Sequence, residues 1–148
     1  MADVDIVVTA KTENGSTPLC IAAQKDHPTV VMKLIAAGAD VDRGMTVAGT
    51  TPLLIAAQNG HLTVVTKLIA AGALVDKAKT DNGYTPLCIA AQKGHHTVVL
   101  KLIAAGADVD KPTTVDGTTP LSTAAHNGHL HLVTKILAAW PLLPPPTP

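Results

Sequence analysis

The opening Thr-Pro-Leu, closed two residues later by Ala-Ala, occurs four times at one fixed interval: Thr17, Thr51, Thr85 and Thr119, each 34 residues after the last. Self-similarity at such a period ties a chain to a stack, because every copy must bury the same apolar face and the surface on offer is the next copy. The third copy, Thr85 to Asp110 (TPLCIAAQKGHHTVVLKLIAAGADVD), shows what one unit should form. Thr85 offers a hydroxyl acceptor to free N–H groups and Pro86 suits a first helical position, so a helix is expected to open at Pro86. Leu87, Ile89, Ala90 and Ala91 make its apolar side, and Gly94 ends it. A second helix follows His95, apolar at Val98, Val99, Leu102 and Ile103, and Gly106 closes it. Isolated helices under ~12 residues are marginal in water. The pair therefore needs neighbours.

TPLCIAA, TPLLIAA, TPLCIAA and TPLSTAA, with a histidine after each first helix and GADVD or GALVD after three of the second helices, resemble ankyrin repeats from Thr17 to about Ala139. The resemblance implies an all-α fold, an α-solenoid of helix-turn-helix units joined by β-turn or hairpin loops. Repeats are expected at about 9–42, 43–76, 77–110 and 111–140. Tetratricopeptide repeats share the period but lack both motifs. Two departures stand out. The family's histidine after TPL is replaced by Cys20, Leu54, Cys88 and Ser122, which predicts loss of a hydrogen bond across the repeat boundary and an apolar contact at the first three. The period also exceeds the family's usual length of about 33 residues, and the extra residue is assigned to the loop between Asp42 and Thr51 and its counterparts. Residues 9–42 match 77–110 at 28 of 34 positions but 43–76 at only 22, so the array reads as built in pairs.

The ends read differently from the middle. Residues 1–16 do not complete a unit: they form either the tail of a preceding repeat, with Val7 in the column of Val41, Val75 and Val109, or a strand-like arm covering the first repeat. In the last repeat Ser122, Thr123, His126 and His131 replace less polar or neutral residues, as expected of a terminal cap. Trp140 and Pro141 should stop the array, leaving residues 141–148 (PLLPPPTP) as an extended tail.

Of the 148 residues 47% are hydrophobic but only 1% aromatic, with no Phe. That suits short helices in close approach, not a large globular centre. Eleven basic and eleven acidic residues balance, which argues against nucleic acid or an anionic membrane as the main partner. No apolar run nears the ~20 residues of a membrane span, and MADVDIVVTA has no basic start, so neither a span nor a secretory signal is expected and residence is cytoplasmic or nuclear.

Chemistry is sparse. His27, His61, His95 and His129 recur one repeat apart, ~8–10 Å for packed helices, too far to share an ion. The resemblance implies that they bond loop backbone. His129 and His131 lack a carboxylate or thiol partner. Cys20 and Cys88, two repeats apart, exceed the ~7 Å reach of a disulfide and should be buried thiols. Thr12, Thr46, Thr80 and Thr114 read as turn hydroxyls, and Gly15, Gly49, Gly83 and Gly117 as turn glycines. No nucleophile with a base and no phosphate-binding glycine loop occurs, so no catalysis, cofactor or metal is expected.

What remains is surface. Proteins similar to this one hold protein partners on a concave face of loop tips and first helices. The columns that vary there are Arg43, Met45, Val47 and Thr50, then Lys79, Asp81 and Tyr84, then Thr113, Val115 and Thr118, with Gln58, Asn59, Gln92, Lys93 and His126 on the helices. Tyr84 and Arg43 are the residue types that dominate binding energy. The competing reading is a structural or self-associating scaffold that stacks end-on through its first repeat at Ile21.

Overall fold

A computed structural model describes residues 12–140; the readings of residues 1–11 and of the proline-rich tail lie outside the described residues. Within them the chain forms eight helices and no strand: α1 (Pro18–Gln24), α2 (Pro28–Ala36), α3 (Pro52–Asn59), α4 (Leu62–Ala70), α5 (Pro86–Lys93), α6 (His96–Ala104), α7 (Pro120–His126) and α8 (Leu130–Ala139). Each first helix starts as the threonine column dictates. Thr17, Thr51, Thr85 and Thr119 accept from the N–H of Cys20, Leu54, Cys88 and Ser122 at 3.2, 3.1, 3.1 and 3.1 Å, and proline occupies the next position, where no donor is missed. None of the eight is long and apolar enough to cross a membrane.

The first helices α1, α3, α5 and α7 stack into one layer, the second helices into another, and each pair packs within its own repeat. The interior first helices bury most of their length because both neighbours need covering: Leu53, Leu54, Ala56 and Ala57 of α3 and Leu87, Cys88, Ala90 and Ala91 of α5 are buried. Each fully buried Leu contributes about 1.5–3 kcal/mol. The first repeat is less covered than the interior ones. Ile21 is 39% exposed, whereas Ile55 and Ile89 in its column are each 7% exposed.

Polar clamps set the register between repeats. The Asp42 carboxylate accepts from Leu74 N–H at 2.8 Å while Lys77 Nζ donates to the Asp42 carbonyl at 2.7 Å. Asp76 repeats the arrangement with Asp108 N–H and Lys111 Nζ, at 3.0 and 3.1 Å. Loops join as well, through Thr80 N–H to the Ala48 carbonyl at 2.9 Å and Thr114 N–H to that of Asn82 at 3.1 Å.

Two of the histidine column, His61 and His95, bond backbone, and they do so across the boundary: His61 Nε2 lies 3.1 Å from the Gln24 carbonyl and His95 Nε2 2.9 Å from that of Gln58. The following histidine ring comes close to Gly60 and Gly94, whereas in the first repeat Asp26 holds that column at φ +58° with His61 Nδ1 3.7 Å from its carboxylate. A Cβ on Gly60 would meet His95 Nδ1 at 2.7 Å. In the fourth repeat Asn127 Nδ2 donates to the Gln92 carbonyl instead, at 3.2 Å.

Three expectations need correction. The residues replacing the family histidine are not purely apolar in their contacts, since Cys20 Sγ lies 3.7 Å from the Arg43 carbonyl and Cys88 Sγ 3.7 Å from Thr123 Oγ1. Polarity at the last repeat faces two ways: Ser122 is exposed and its Oγ accepts from Thr119 N–H at 2.8 Å, but Thr123 is buried against the third repeat. Of the threonine column, Thr12 Oγ1 does accept a turn N–H, from Ser16 at 3.2 Å. Thr46, Thr80 and Thr114 instead lie over Gly15, Gly49 and Gly83 of the preceding loop, where a Cβ would clash with each.

Candidate partner-binding face

Each loop ends in a turn that places one side chain at the foot of a first helix. In the third repeat Lys79 N–H donates to the Tyr84 carbonyl at 2.9 Å, and the Asn82 side chain accepts from Tyr84 N–H at 3.0 Å, an Asx-type turn. In the fourth, Thr113 N–H donates to the Thr118 carbonyl at 2.8 Å and Asp116 takes the role of Asn82. The second repeat has Ala48 at that position, with φ +65°, a left-handed conformation that a side chain without a polar group does nothing to favour.

Loop and first-helix side chains meet in grooves between successive repeats. Met45, Thr50, Gln58 and Asn59 line the first with Asn14 and Gln24, about 290 Å³. Gln58, Lys79, Tyr84, Gln92 and Lys93 line the second with Asn82, also about 290 Å³. Tyr84, Gln92, Thr118 and His126 line the third with Asp116 and Asn127, about 510 Å³. Tyr84 is thus the wall between two grooves.

The remaining expected residues fall elsewhere. Val47 and Val115 stand out at loop tips, 69% and 71% exposed, and Asp81 is exposed with its carboxylate 3.7 Å from Lys79 Nζ. Arg43 is exposed and shares a column with Lys77 and Lys111, whose side chains clamp the preceding repeat. Thr113 does not belong on the surface. It is 4% exposed, its hydroxyl donating to Asp116 at 2.6 Å and accepting from Thr118 N–H at 3.0 Å, so it holds the loop from inside.

Asp116 and Asn127 were not among the expected site residues. A signal existed for Asp116, because its column, Asn14, Ala48, Asn82 and Asp116, varies between repeats like the others. Hydrogen bonds from Thr113 and Thr118 draw the Asp116 carboxyl down to about 2. Burial, then the nearby Cys88 and Asp116, raise the Tyr84 phenol, which is neutral at pH 7. Burial also raises the Cys88 thiol, against a hydrogen bond with Thr123 that lowers it; Cys20 and Cys88 are both buried and free. On the outer layer the His96 ring lies 6.2 Å from that of His129 and 5.3 Å from that of His131, yet among the described residues no three side chains form a metal-ligand set.

A family model described as ankyrin repeats (3 copies) matches residues 2–79, 19–113 and 68–140. The chain belongs to the ankyrin repeat family. No curated protein matches it significantly. Ankyrin repeats are generally protein–protein interaction modules and typically non-enzymatic scaffolds. The layered helices, the histidine bonds across boundaries and the loop-to-loop bonds are how this ankyrin array keeps successive loops in line.

Proposed function

We propose that the chain is a non-catalytic module that binds a protein partner on the concave face made by its loop tips and first helices. The observation that carries this reading is the run of grooves along that face, walled by Met45, Gln58, Tyr84, Gln92 and His126. Ordered walls lower the entropic cost of association, and Tyr84 offers rigid amphipathic area at the centre of the run. Two free buried thiols suit a reducing compartment, cytoplasm or nucleus. The test is capture from lysate with the chain and with a Tyr84→Ala, Met45→Ala double variant as baits, then calorimetry on the captured protein. Tyr84→Ala alone is expected to weaken binding tenfold or more, about 1.4 kcal/mol. Unchanged affinity removes Tyr84 from the site.

A second reading, self-association through the first repeat, is supported by a different observation. Val30 is 47% exposed where Val64, Val98 and Leu132 in its column are 0% exposed, and Ile21 on the other helix of the same repeat is exposed as well. Sedimentation equilibrium across a range of concentrations tests it: dimers that Ile21→Lys abolishes support it, and a monomer throughout rejects it.

A further inference from the structure

We propose that the groove between the third and fourth repeats receives one cationic side chain of the partner, an arginine or lysine, between the Tyr84 ring and the Asp116 carboxylate. This rests on the partner-binding reading above and narrows it to one pocket and one chemistry.

The groove, about 510 Å³, falls in the ~300–1,000 Å³ range of ligand sites. Asp116 is the only Asp, Glu, Lys or Arg that lines it. Its carboxylate is half used: Oδ1 accepts from Thr113 Oγ1 at 2.6 Å, Thr118 Oγ1 at 2.6 Å and Thr118 N–H at 3.1 Å, and among the described residues no hydrogen bond or ion pair reaches Oδ2. The three bonds fix the carboxylate before any partner arrives. A guanidinium or ammonium group therefore meets an anion that needs no ordering. The neutral Tyr84 ring lines the same groove, and the face of such a ring attracts the same cation; the Gln92 side chain supplies a further carbonyl acceptor.

The neighbouring groove has the opposite character. There Asn82 replaces Asp116 in the turn column, and Lys79 and Lys93 line the walls. One repeat step is ~8–10 Å, about three residues of extended chain. A basic side chain is thus favoured at the third-to-fourth boundary and disfavoured one step earlier.

Tyr84 is the sole tyrosine of the chain, so its ring resonances are assigned without ambiguity; the ring borders two grooves, and Asp116→Asn, which alters only the third, tells them apart. The experiment titrates the full chain with N-acetyl-arginine methylamide and, separately, with its neutral isostere N-acetyl-citrulline methylamide, following Tyr84 by NMR. Arginine is expected to shift the ring saturably and citrulline to bind at least tenfold more weakly. Asp116→Asn keeps the Oδ1 acceptor and matches the residue that Asn14 and Asn82 place in the same column, so it should fold, and it is expected to weaken arginine binding at least fivefold. Equal responses to the two probes, an arginine response undiminished by Asp116→Asn, or a Tyr84 ring that does not move would each overturn the assignment. The lysate capture with Tyr84→Ala decides the wider reading independently: a partner lost there while the arginine titration fails leaves the face and removes the cation pocket.

Discussion

Alanine at Gly60, Gly94 and Gly128 separates what the backbone needs from what the next repeat needs. All three glycines sit in the left-handed region, with φ of +72°, +74° and +70°, so each Gly→Ala carries the same conformational cost, about 1 kcal/mol. Surroundings differ. Among the described residues nothing lies within 4 Å of a Cβ on Gly128, whereas one on Gly94 would meet His129 Cε1 at 2.9 Å and one on Gly60 would meet His95 Nδ1 at 2.7 Å. At Gly60 the ring must swing away, and its 2.9 Å bond to the Gln58 carbonyl goes with it, a loss of about 0.5–1.5 kcal/mol. The expected order of destabilisation is Gly60→Ala, at about 1.5–2.5 kcal/mol, then Gly94→Ala, then Gly128→Ala, at about 1 kcal/mol. Urea titrations followed by far-UV circular dichroism measure it, provided the slopes agree. His95→Ala gives the internal check. In that background Gly60→Ala should cost no more than Gly128→Ala, a coupling of about 1 kcal/mol in the double-mutant cycle. Equal costs at the three sites, or no coupling, would refute the claim that a side chain at Gly60 displaces the His95 ring.

Further outcomes are expected from single perturbations. Ala48→Asn should stabilise the chain by about 0.5–1 kcal/mol, because asparagine tolerates the left-handed φ of +65° better than alanine; a urea midpoint that does not rise argues against it. Asp116, at about 2 in the folded chain against an ordinary 3.8, adds stability that is present above pH 4 and lost as pH falls towards 2. Asp116→Asn should flatten that part of the stability profile, and an unchanged acid limb contradicts the assignment. Both thiols should resist a thiol-specific reagent in the native chain and react after unfolding, and rapid native labelling of Cys88 would show that its burial is not maintained.

The repeat, its helices and the stack were legible before any coordinates, because Thr-Pro starts, apolar spacing and glycine stops act over a few residues and recur four times. Thr17, Thr51, Thr85 and Thr119 do at every first helix what their spacing announced. Most of the expected surface residues line the grooves for the same reason: a column that varies is one that packing does not constrain. Thr113 and Asp116 exchanged roles because both are polar loop residues, and which of the two turns inward depends on the hydrogen bonds of one folded loop.

Tertiary structure alone decided what crosses the boundaries. A periodic sequence states that unit meets unit, but not that His95 reaches back to Gln58, that Asp76 grips Asp108 and Lys111, or that Thr123 turns to the thiol of Cys88. Those contacts join residues some 32 to 37 positions apart, and their partners are set by the offset between stacked helices, a quantity to which every repeat contributes and which no single repeat encodes.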